Sequence, residues 1–209
     1  MSKAIGFIGL GVMGSPMAGH LANLDNNISV FNRTVEKSKT WNTKYKGVIC
    51  GSPAELARIS DVIMICIGND SEVRDVISGK DGMINYLKKG SIIVDHTTTS
   101  SELAVEMNTL LNPKDIFYID APVSGGEAGA QSGQLSIMAG GDKKSFNLIE
   151  NIIKPYTKFI KYMGPPGSGQ LTKMVNQICI AGLIQALAEG INFSKKVGLN
   201  SQDVLEVVS

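Results

Sequence analysis

Short, uninterrupted apolar runs recur along the first 163 residues, and β-branched side chains are frequent in them. Runs of about four to eight apolar residues are typical of strands that are buried on both faces of a parallel sheet. Strands are predicted at residues 4–8, 28–31, 62–67, 92–95, 117–120, 135–139 and 159–162. Helical patterns lie between them, at residues 16–24, 35–45, 53–59, 71–78, 101–111 and 143–153. This alternation predicts βαβ units, and therefore an α/β fold with a mostly parallel sheet and helices on both faces.

A segment rich in proline and glycine, residues 163–169, ends this alternation. Beyond it, residues 170–197 contain no proline and predict a single helix, roughly 40 Å long at about 1.5 Å per residue. A further helix is predicted at residues 202–208, with Ser201 as its N-cap. We therefore predict a first domain at residues 1–163. Residues 164–209 would hold a long interdomain helix and the start of an all-α domain that is truncated at its C-terminal end.

The long predicted helix is apolar on most of its surface, through side chains such as Val175, Ile178, Ile184 and Leu187. A helix that is apolar nearly all round needs packing partners on several sides. The residues after Gly198 are too few to cover it. We therefore expect that the second domain is cut short or that another subunit covers the helix, and we predict a homo-oligomer that forms through it.

The charge balance and the cysteines argue against several classes of protein. Lys and Arg number 20 against 19 Asp and Glu, so the net charge is +1 and nucleic-acid binding is not expected. No uninterrupted apolar run reaches the roughly 18–20 residues that span a bilayer, so no membrane segment is expected either. The three cysteines are odd in number and lack metal-ligand spacing. They predict no metal site and fit a reducing, cytoplasmic location.

A G-x-G-x-x-G run directly follows the first predicted strand and opens the first predicted helix. It comprises Gly9, Leu10, Gly11, Val12, Met13 and Gly14. In this context Gly9 makes the tight turn, Gly11 lets the backbone approach a pyrophosphate, and Gly14 lets the helix pack on the strand. The N–H groups at the helix start can then bind the phosphates. The run predicts a Rossmann-type dinucleotide-binding loop; the alternative is a glycine-rich turn without a ligand.

The end of the second predicted strand indicates which dinucleotide binds. A site for NAD usually carries Asp or Glu about 20 residues after the glycine run, for the ribose 2′-hydroxyl. This chain has Asn32, Arg33 and Thr34 there. The guanidinium of Arg33 suits a 2′-phosphate, and the other two side chains can hydrogen-bond to the same group. We therefore predict NADP as the cofactor, with NAD as the second choice. In the contrary interpretation Arg33 is a solvated loop residue and Asn32 a turn former.

Three segments, in this order, resemble the motifs of the β-hydroxyacid dehydrogenases, a family that includes 3-hydroxyisobutyrate dehydrogenase and several semialdehyde reductases. They are residues 6–18 around the glycine run, residues 120–126 (Asp-Ala-Pro-Val-Ser-Gly-Gly) and residues 167–176 at the start of the long helix. The resemblance covers essentially the whole chain. It implies an oxidoreductase that transfers hydride between NADP(H) and a small hydroxy acid or its semialdehyde, of the 3-hydroxyisobutyrate kind.

The third segment carries the predicted catalytic residues, Lys173 and Asn176, which are three apart and so share one helix face. A lysine near a helix start feels an unfavourable dipole, and burial would lower its pKa further. A lowered pKa suits a general acid/base at neutral pH. The resemblance implies that role for Lys173, with Asn176 orienting the substrate. The alternative is that Lys173 is an ordinary solvated helix lysine.

The second segment carries the predicted substrate site. Ser124, Gly125 and Gly126 follow the strand predicted at residues 117–120. Ligands of open α/β sheets bind beyond the carboxyl ends of the strands. A hydroxyl and exposed N–H groups at that edge suit a small carboxylate substrate. The alternative is an ordinary Ser-Gly-Gly turn.

The resemblance implies that two further loops contact the cofactor or the substrate. Thr98 should touch the nicotinamide ribose or the substrate, although its neighbours could simply cap the next helix. Ile67 and Gly68 should line the cofactor at positions where many family members carry Leu-Pro; the backbone contact survives this change, whereas the rigidity of proline does not. His96 is interpreted as a loop histidine without a catalytic role.

Two other kinds of enzyme and one non-enzyme remain as alternatives. The catalytic helix of 6-phosphogluconate dehydrogenase usually reads Lys-x-x-His-Asn, which Val175, Asn176 and Gln177 do not match. Imine reductases usually lack a lysine at the position of Lys173. The non-enzyme is a truncated, inactive protein that binds NADP without turnover, and the intact pair of Lys173 and Asn176 argues against it.

Overall fold

The computed structural model describes residues 3–24 and 28–208. Its strands are β1 (Ile5–Ile8), β2 (Ile28–Phe31), β3 (Val48–Ile49), β4 (Val62–Ile65), β5 (Ile92–Asp95), β6 (Phe117–Asp120), β7 (Val123–Ser124), β8 (Leu135–Gly141) and β9 (Thr157–Gly164). Its α-helices are α1 (Gly14–Ala22), α2 (Val35–Lys44), α3 (Pro53–Ile59), α4 (Asp70–Ser78), α5 (Ser101–Leu111), α6 (Gly126–Ser132), α7 (Lys143–Ile153), α8 (Ser168–Lys196) and α9 (Ser201–Val208).

The strands form one sheet in the order β3-β2-β1-β4-β5-β6-β8-β7, with β9 paired to β8. The neighbours from β3 to β6 are parallel, β8 is antiparallel to β6 and β7, and β9 is parallel to β8. The predicted Rossmann-type architecture, a mostly parallel sheet followed by a long helix, is therefore confirmed.

Alternate residues of the central strands pack into two apolar layers on opposite faces of the sheet. In β1, Phe7 joins the layer that contains Met17 and Leu21 of α1, whereas Ile8 joins the layer that contains Leu56 of α3. All five side chains are at most 1% exposed. Because complete burial of such a side chain stabilises the fold by about 1.5–3 kcal/mol, both layers hold the sheet firmly.

The central strands end level with one another at one edge of the sheet. Ile8 at the end of β1 pairs with Phe31 of β2 on one side and with Ile65 of β4 on the other. The strand order reverses here, since β2 and β3 lie on one side of β1 and β4 lies on the other. In open α/β sheets a crevice forms at such a reversal, and ligands bind in it.

Two strands and one α-helix were not predicted, because the strands are very short and the helix contains residues that disfavour helix formation. The strands β3 and β7 have two residues each, too few to show a pattern. Helix α6 has Gly126 and Gly129 among its seven residues, and glycine disfavours helix. The strand predicted at 62–67 ends at Ile65, because Ile67 donates its N–H to the Thr97 hydroxyl, 3.2 Å away, and not to a neighbouring strand.

The chain divides into two compact units after Lys173. In the second unit, Gly198 has a φ of +80°, which favours glycine, and it separates α8 from α9. The Leu199 N–H donates to the Ser194 carbonyl at 2.9 Å. The Ser194 hydroxyl lies 3.0 Å from the Ser201 hydroxyl, so this turn is held by side chains as well as backbone.

Helix α8 has the length and composition of a helix that could cross a membrane, with a mean hydropathy of 1.4 over an 18-residue window. The sequence contains no uninterrupted apolar run of this length, because single polar residues such as Gln177 and Gln185 interrupt it. These residues nevertheless leave the helix apolar on average. Core helices of water-soluble proteins satisfy the same criterion, so it does not by itself assign a membrane segment.

Candidate active site

The loop after β1 has the geometry of a dinucleotide-binding turn. Gly9 has a φ of +97°, and a Cβ there would lie 2.1 Å from the Cys66 carbonyl oxygen. A Cβ at Gly14 would lie 1.9 Å from the Gly9 carbonyl oxygen. Both positions therefore require glycine, for the turn and for close packing of α1 on the strand. A Cβ at Gly11, by contrast, would meet nothing within 4 Å. The open side of Gly11 is the cradle that a pyrophosphate would fill.

The start of α1 leaves several hydrogen-bond donors available. Within the described residues, the N–H groups of Gly11, Val12 and Met13 have no hydrogen-bond partner, and Met13 at the N-cap makes no side-chain capping bond. Unpaired N–H groups at a helix N-terminus attract phosphate anions. The Leu10 N–H is different, because it donates to Asn32 Oδ1 at 2.9 Å and Leu10 itself is buried. The loop thus fits the diphosphate of a dinucleotide.

A cleft of about 560 Å³ opens beside this loop. The predicted cofactor residues that line it are Gly9, Gly11, Val12, Met13, Gly14, Asn32, Arg33, Thr34 and Ile67. Three predicted residues do not line it, namely Leu10, Gly68 and Thr98. Lys37 and Lys80 line the cleft without having been predicted. Lys37 could have been found, because it lies in the first turn of α2, only four residues after Arg33.

The segment after β2 uses its three predicted residues differently. The Asn32 amide accepts from the Leu10 N–H, and its Nδ2 donates to the Thr34 carbonyl at 3.0 Å, so Asn32 joins the two loops. Thr34 is the N-cap of α2 but makes no side-chain capping bond. The Arg33 side chain is 82% exposed and makes an ion pair with Glu72 at 3.2 Å. Of the three, Arg33 is therefore the residue with charge to offer a ligand.

A second cluster joins the end of β6 to the start of α8. The buried Asp120 carboxylate accepts the Gly167 N–H at 2.9 Å and the Gln170 N–H at 3.0 Å. Burial raises the pKa of Asp120, and these N–H groups oppose the rise. A Cβ at Gly169 would lie 2.4 Å from the Met138 carbonyl oxygen, so glycine lets the helix start against the sheet backbone. The position of the first turn of α8 is thus set by the sheet.

Gln170 fastens the same turn to the loop after β5. Its side chain is buried; Oε1 accepts the Thr99 N–H at 3.1 Å, and Nε2 donates to the Thr97 carbonyl at 2.8 Å. Thr98 lies between these two bonds and is exposed. Gln170 belongs to the third motif, residues 167–176, but it was not predicted to have a role, because partners more than 70 residues away leave no local signal.

Lys173 lies one turn further along α8. It is partly buried, burial lowers its pKa, and within the described residues its amine has no hydrogen-bond or ion-pair partner. Asn176 follows on the same helix in the second unit, and its Nδ2 donates to Gln177 Oε1 at 3.0 Å. The second turn of α8 therefore presents an amine with a lowered pKa that has no partner among the described residues.

The buried residues beside the threonine loop have structural roles. Burial lowers the pKa of His96 to about 4, so its ring is neutral near pH 7. Its Nδ1 lies 2.7 Å from the Ala121 carbonyl, which only accepts, so Nδ1 carries the proton. Its Nε2 then accepts from the Tyr156 hydroxyl at 2.9 Å. Both ring nitrogens are used inside the fold.

Ser124, Gly125 and Gly126 stand at the junction of β7 and α6. Gly125 has a φ of +132° and Gly126 one of +61°, so both positions favour glycine. Ser124 pairs with Ser136 of β8 and is partly buried. No hydrogen bond or ion pair within the described part of the chain joins these three residues to Thr98 or Lys173. The same part contains no group of three or more His, Cys, Asp or Glu that could hold a metal ion.

Two family models match the chain. The model described as the NAD binding domain of 6-phosphogluconate dehydrogenase matches residues 4–164. The model described as NAD-binding of NADP-dependent 3-hydroxyisobutyrate dehydrogenase matches residues 167–209. Together they cover the Rossmann-type sheet, the whole of the long helix and the residues that follow it.

Individual relatives agree with these models. An oxidoreductase of Shewanella frigidimarina is 46% identical over 98% of this chain and 70% of its own length. A mitochondrial 3-hydroxyisobutyrate dehydrogenase-like protein of Arabidopsis thaliana is 40% identical over 98% of this chain and 68% of its own. The solved structure of Mycobacterium tuberculosis 3-hydroxyisobutyrate dehydrogenase with L-serine has a TM-score of 0.91 at 28% identity, covering 100% of this chain and 70% of that one. The chain therefore belongs to the β-hydroxyacid dehydrogenase family of NAD(P)-binding oxidoreductases.

Proposed function

We propose that the protein transfers hydride between NADP(H) and a small hydroxy acid or its semialdehyde, with Lys173 as the general acid/base. The observation that carries this proposal is the placement of Lys173. It lies one turn beyond Gln170, whose side chain fastens the helix to the loop of Thr98, and its amine is partly buried with a lowered pKa. A 3-hydroxyisobutyrate-like compound is the substrate that the family relation favours.

The glycine loop and Arg33 would hold the coenzyme. The unpaired N–H groups of Gly11, Val12 and Met13 suit its diphosphate, and the exposed guanidinium of Arg33 suits a 2′-phosphate. Ile67 lines the same cleft, and its N–H donates to Thr97, next to Thr98. When bound, NADPH supplies the hydride. NADP is favoured over NAD because Arg33 offers a cation to the 2′-phosphate.

Lys173 would move the proton. In the direction of reduction, its ammonium group polarises the carbonyl oxygen of the semialdehyde and donates a proton to it as hydride reaches the carbonyl carbon, so the product is the alcohol. In oxidation, the neutral amine removes the hydroxyl proton. Asn176, three residues further on, would orient the reacting oxygen through its amide. A lowered pKa makes the neutral form of Lys173 easier to reach than that of an ordinary lysine.

The carboxylate of the substrate would bind at Ser124, Gly125 and Gly126. The positive φ values of the two glycines disfavour any other residue there, and their N–H groups would bind the anion. Nothing lies within 4 Å of a Cβ built at Gly126, so this side is open. Thr98, exposed on its loop, would contact the substrate or the nicotinamide ribose.

Coenzyme titration beside a turnover assay tests the proposed function. We expect NADPH to bind and 3-hydroxy acids or their semialdehydes to turn over. Binding without turnover of any small hydroxy acid or semialdehyde would instead favour a non-catalytic NADP-binding protein.

We also propose that the chain associates with itself through α8 and works in the cytoplasm. Ile178 and Leu183 on this helix are each 71% exposed, an arrangement that favours pairing. Light scattering that shows a monomer at micromolar concentration would contradict the association.

A further inference from the structure

Glu72 places a carboxylate inside the coenzyme cleft. It lies in the first turn of α4, lines the cleft, and its side chain is 30% exposed. Its Oε2 accepts the Gly68 N–H at 3.0 Å, and its Oε1 pairs with the Arg33 guanidinium at 3.2 Å. Its own N–H donates to the N-cap Asn69 at 3.1 Å. One backbone N–H, that of Gly68, and one cation, Arg33, therefore fix where this carboxylate lies.

Gly68 and Glu72 fit each other. A Cβ at Gly68 would lie 2.8 Å from Glu72 Oε2, so a side chain there would push the carboxylate away. A proline, the residue that many family members carry at this position, would also lack the N–H that holds it. This chain has Gly68 in place of that proline, and the Gly68 N–H holds the Glu72 carboxylate in this position.

We propose that Glu72 is a specificity-determining residue, a built-in counter-anion that competes with the 2′-phosphate of NADPH for Arg33. Glu72 thereby reduces the ratio of the affinity for NADPH to the affinity for NADH. The inference rests on the proposed coenzyme site and deepens it. NADH carries a neutral 2′-hydroxyl, so it binds without displacing the Arg33–Glu72 pair.

The charges around the cleft favour this competition. Its cationic lining residues are Arg33, Lys37 and Lys80, and its acidic lining residues are Glu72, Asp75 and Asp81. Three positive and three negative side chains leave no net positive charge to attract a phosphate. Glu72 is the acidic residue of this set that pairs with Arg33. Its negative charge therefore opposes the 2′-phosphate at the cation that should bind it.

The first test measures the dissociation constants of NADPH and NADH for the wild type and for Glu72→Gln. Glutamine keeps the size of the side chain and an oxygen for the Gly68 N–H, so the fold is retained. We expect NADPH to bind roughly threefold to tenfold more tightly to Glu72→Gln, the scale of an exposed charge interaction, with NADH little changed. The gain should shrink at high salt, because exposed charges are screened.

A matched control separates competition for Arg33 from charge in general. Asp75→Asn removes one negative charge from the same helix and the same cleft, but Asp75 makes no ion pair within the described residues. We expect it to change the NADPH-to-NADH ratio by much less. In an Arg33→Ala background, Glu72→Gln should no longer shift the ratio, because the cation for which Glu72 and the 2′-phosphate compete is absent.

Gly68→Ala supplies a second route, since it displaces the carboxylate without altering any charge. It should shift the ratio towards NADPH, as Glu72→Gln does.

An unchanged ratio in Glu72→Gln, a shift towards NADH, or an equal effect of Asp75→Asn would overturn the inference while leaving the proposed function intact. A wild type that binds neither coenzyme would overturn the proposed function and the inference with it.

Discussion

The side chain of Gln170 holds the backbone on both sides of Thr98. Its amide accepts the Thr99 N–H and donates to the Thr97 carbonyl, at 3.1 and 2.8 Å, although more than 70 residues separate the partners along the chain. Gln170 belongs to the first turn of α8, which Asp120 anchors to the sheet. The loop of Thr98 and the first turn of α8 are therefore joined directly by hydrogen bonds.

Gln170→Ala should destabilise the protein and disturb this loop. It removes two buried hydrogen bonds and leaves their backbone partners unpaired, which costs about 1–3 kcal/mol per unsatisfied group in the free energy of unfolding. Thermal unfolding measures the loss. Gln185→Ala, an exposed glutamine on the same helix, serves as the control and should change the free energy by less than about 0.5 kcal/mol. Equal stability of the two variants would contradict the role given to Gln170.

Lys173→Ala should abolish turnover and leave NADPH binding nearly unchanged. The glycine loop and Arg33 hold the coenzyme, whereas Lys173 acts on the substrate oxygen. Loss of a general acid typically lowers kcat by about 10²–10⁴. Steady-state kinetics beside a coenzyme titration separate the two effects, with Lys195→Ala, an exposed lysine of α8, as the control. A Lys173→Ala variant that keeps more than about a tenth of wild-type kcat would show that another group supplies the proton.

Arg33→Ala should weaken NADPH binding and spare NADH. A charge-assisted hydrogen bond contributes about 1.5–3 kcal/mol, or roughly tenfold to a hundredfold in affinity. Because the Arg33 guanidinium is 82% exposed, we expect a value at the lower end. Lys39→Ala is the control, since Lys39 pairs with Glu36 at 2.8 Å on α2 and does not line the cleft. Equal loss of both coenzymes in Arg33→Ala would contradict 2′-phosphate recognition.

Asp95→Asn should make the stability of the protein fall more steeply between pH 6 and 4. Burial lowers the pKa of His96 to about 4, so the unfolded chain binds a proton in this pH range that the folded chain does not. The free energy of unfolding therefore decreases as the pH falls. Burial raises the pKa of Asp95 to about 6, so here the folded chain binds the extra proton and stability rises as the pH falls.

In the wild type these two effects oppose each other. Of these two effects the variant keeps only that of His96, up to about 3 kcal/mol at roughly 1.4 kcal/mol per pKa unit. Denaturant unfolding at several pH values measures the slope. As a control, Asp203→Asn, on the surface of α9, should keep the wild-type slope. A slope for Asp95→Asn that equals that of the wild type would show that Asp95 ionises normally.

The dinucleotide loop could be predicted from the sequence because its requirements are local. Gly9 needs a positive φ, and Gly14 must let α1 meet the chain five residues earlier, so neighbouring residues alone reveal the turn. The absence of an acid at the end of β2 is equally local, and it pointed to Arg33. Continuous apolar runs revealed the central strands, because a parallel sheet buries both of their faces.

The tertiary structure decided how distant residues share these sites. Glu72 meets Arg33 from 39 residues away, Gln170 meets Thr97 from 73, and Tyr156 meets His96 from 60. None of these pairs has a spacing that a helix or strand would reveal, because each depends on which strands become neighbours in the sheet. Apolar periodicity determines which elements form, whereas strand order determines which side chains meet at their ends. The sequence therefore determined the fold and the coenzyme loop, and the packing of the strands decided which charges and hydrogen bonds surround them.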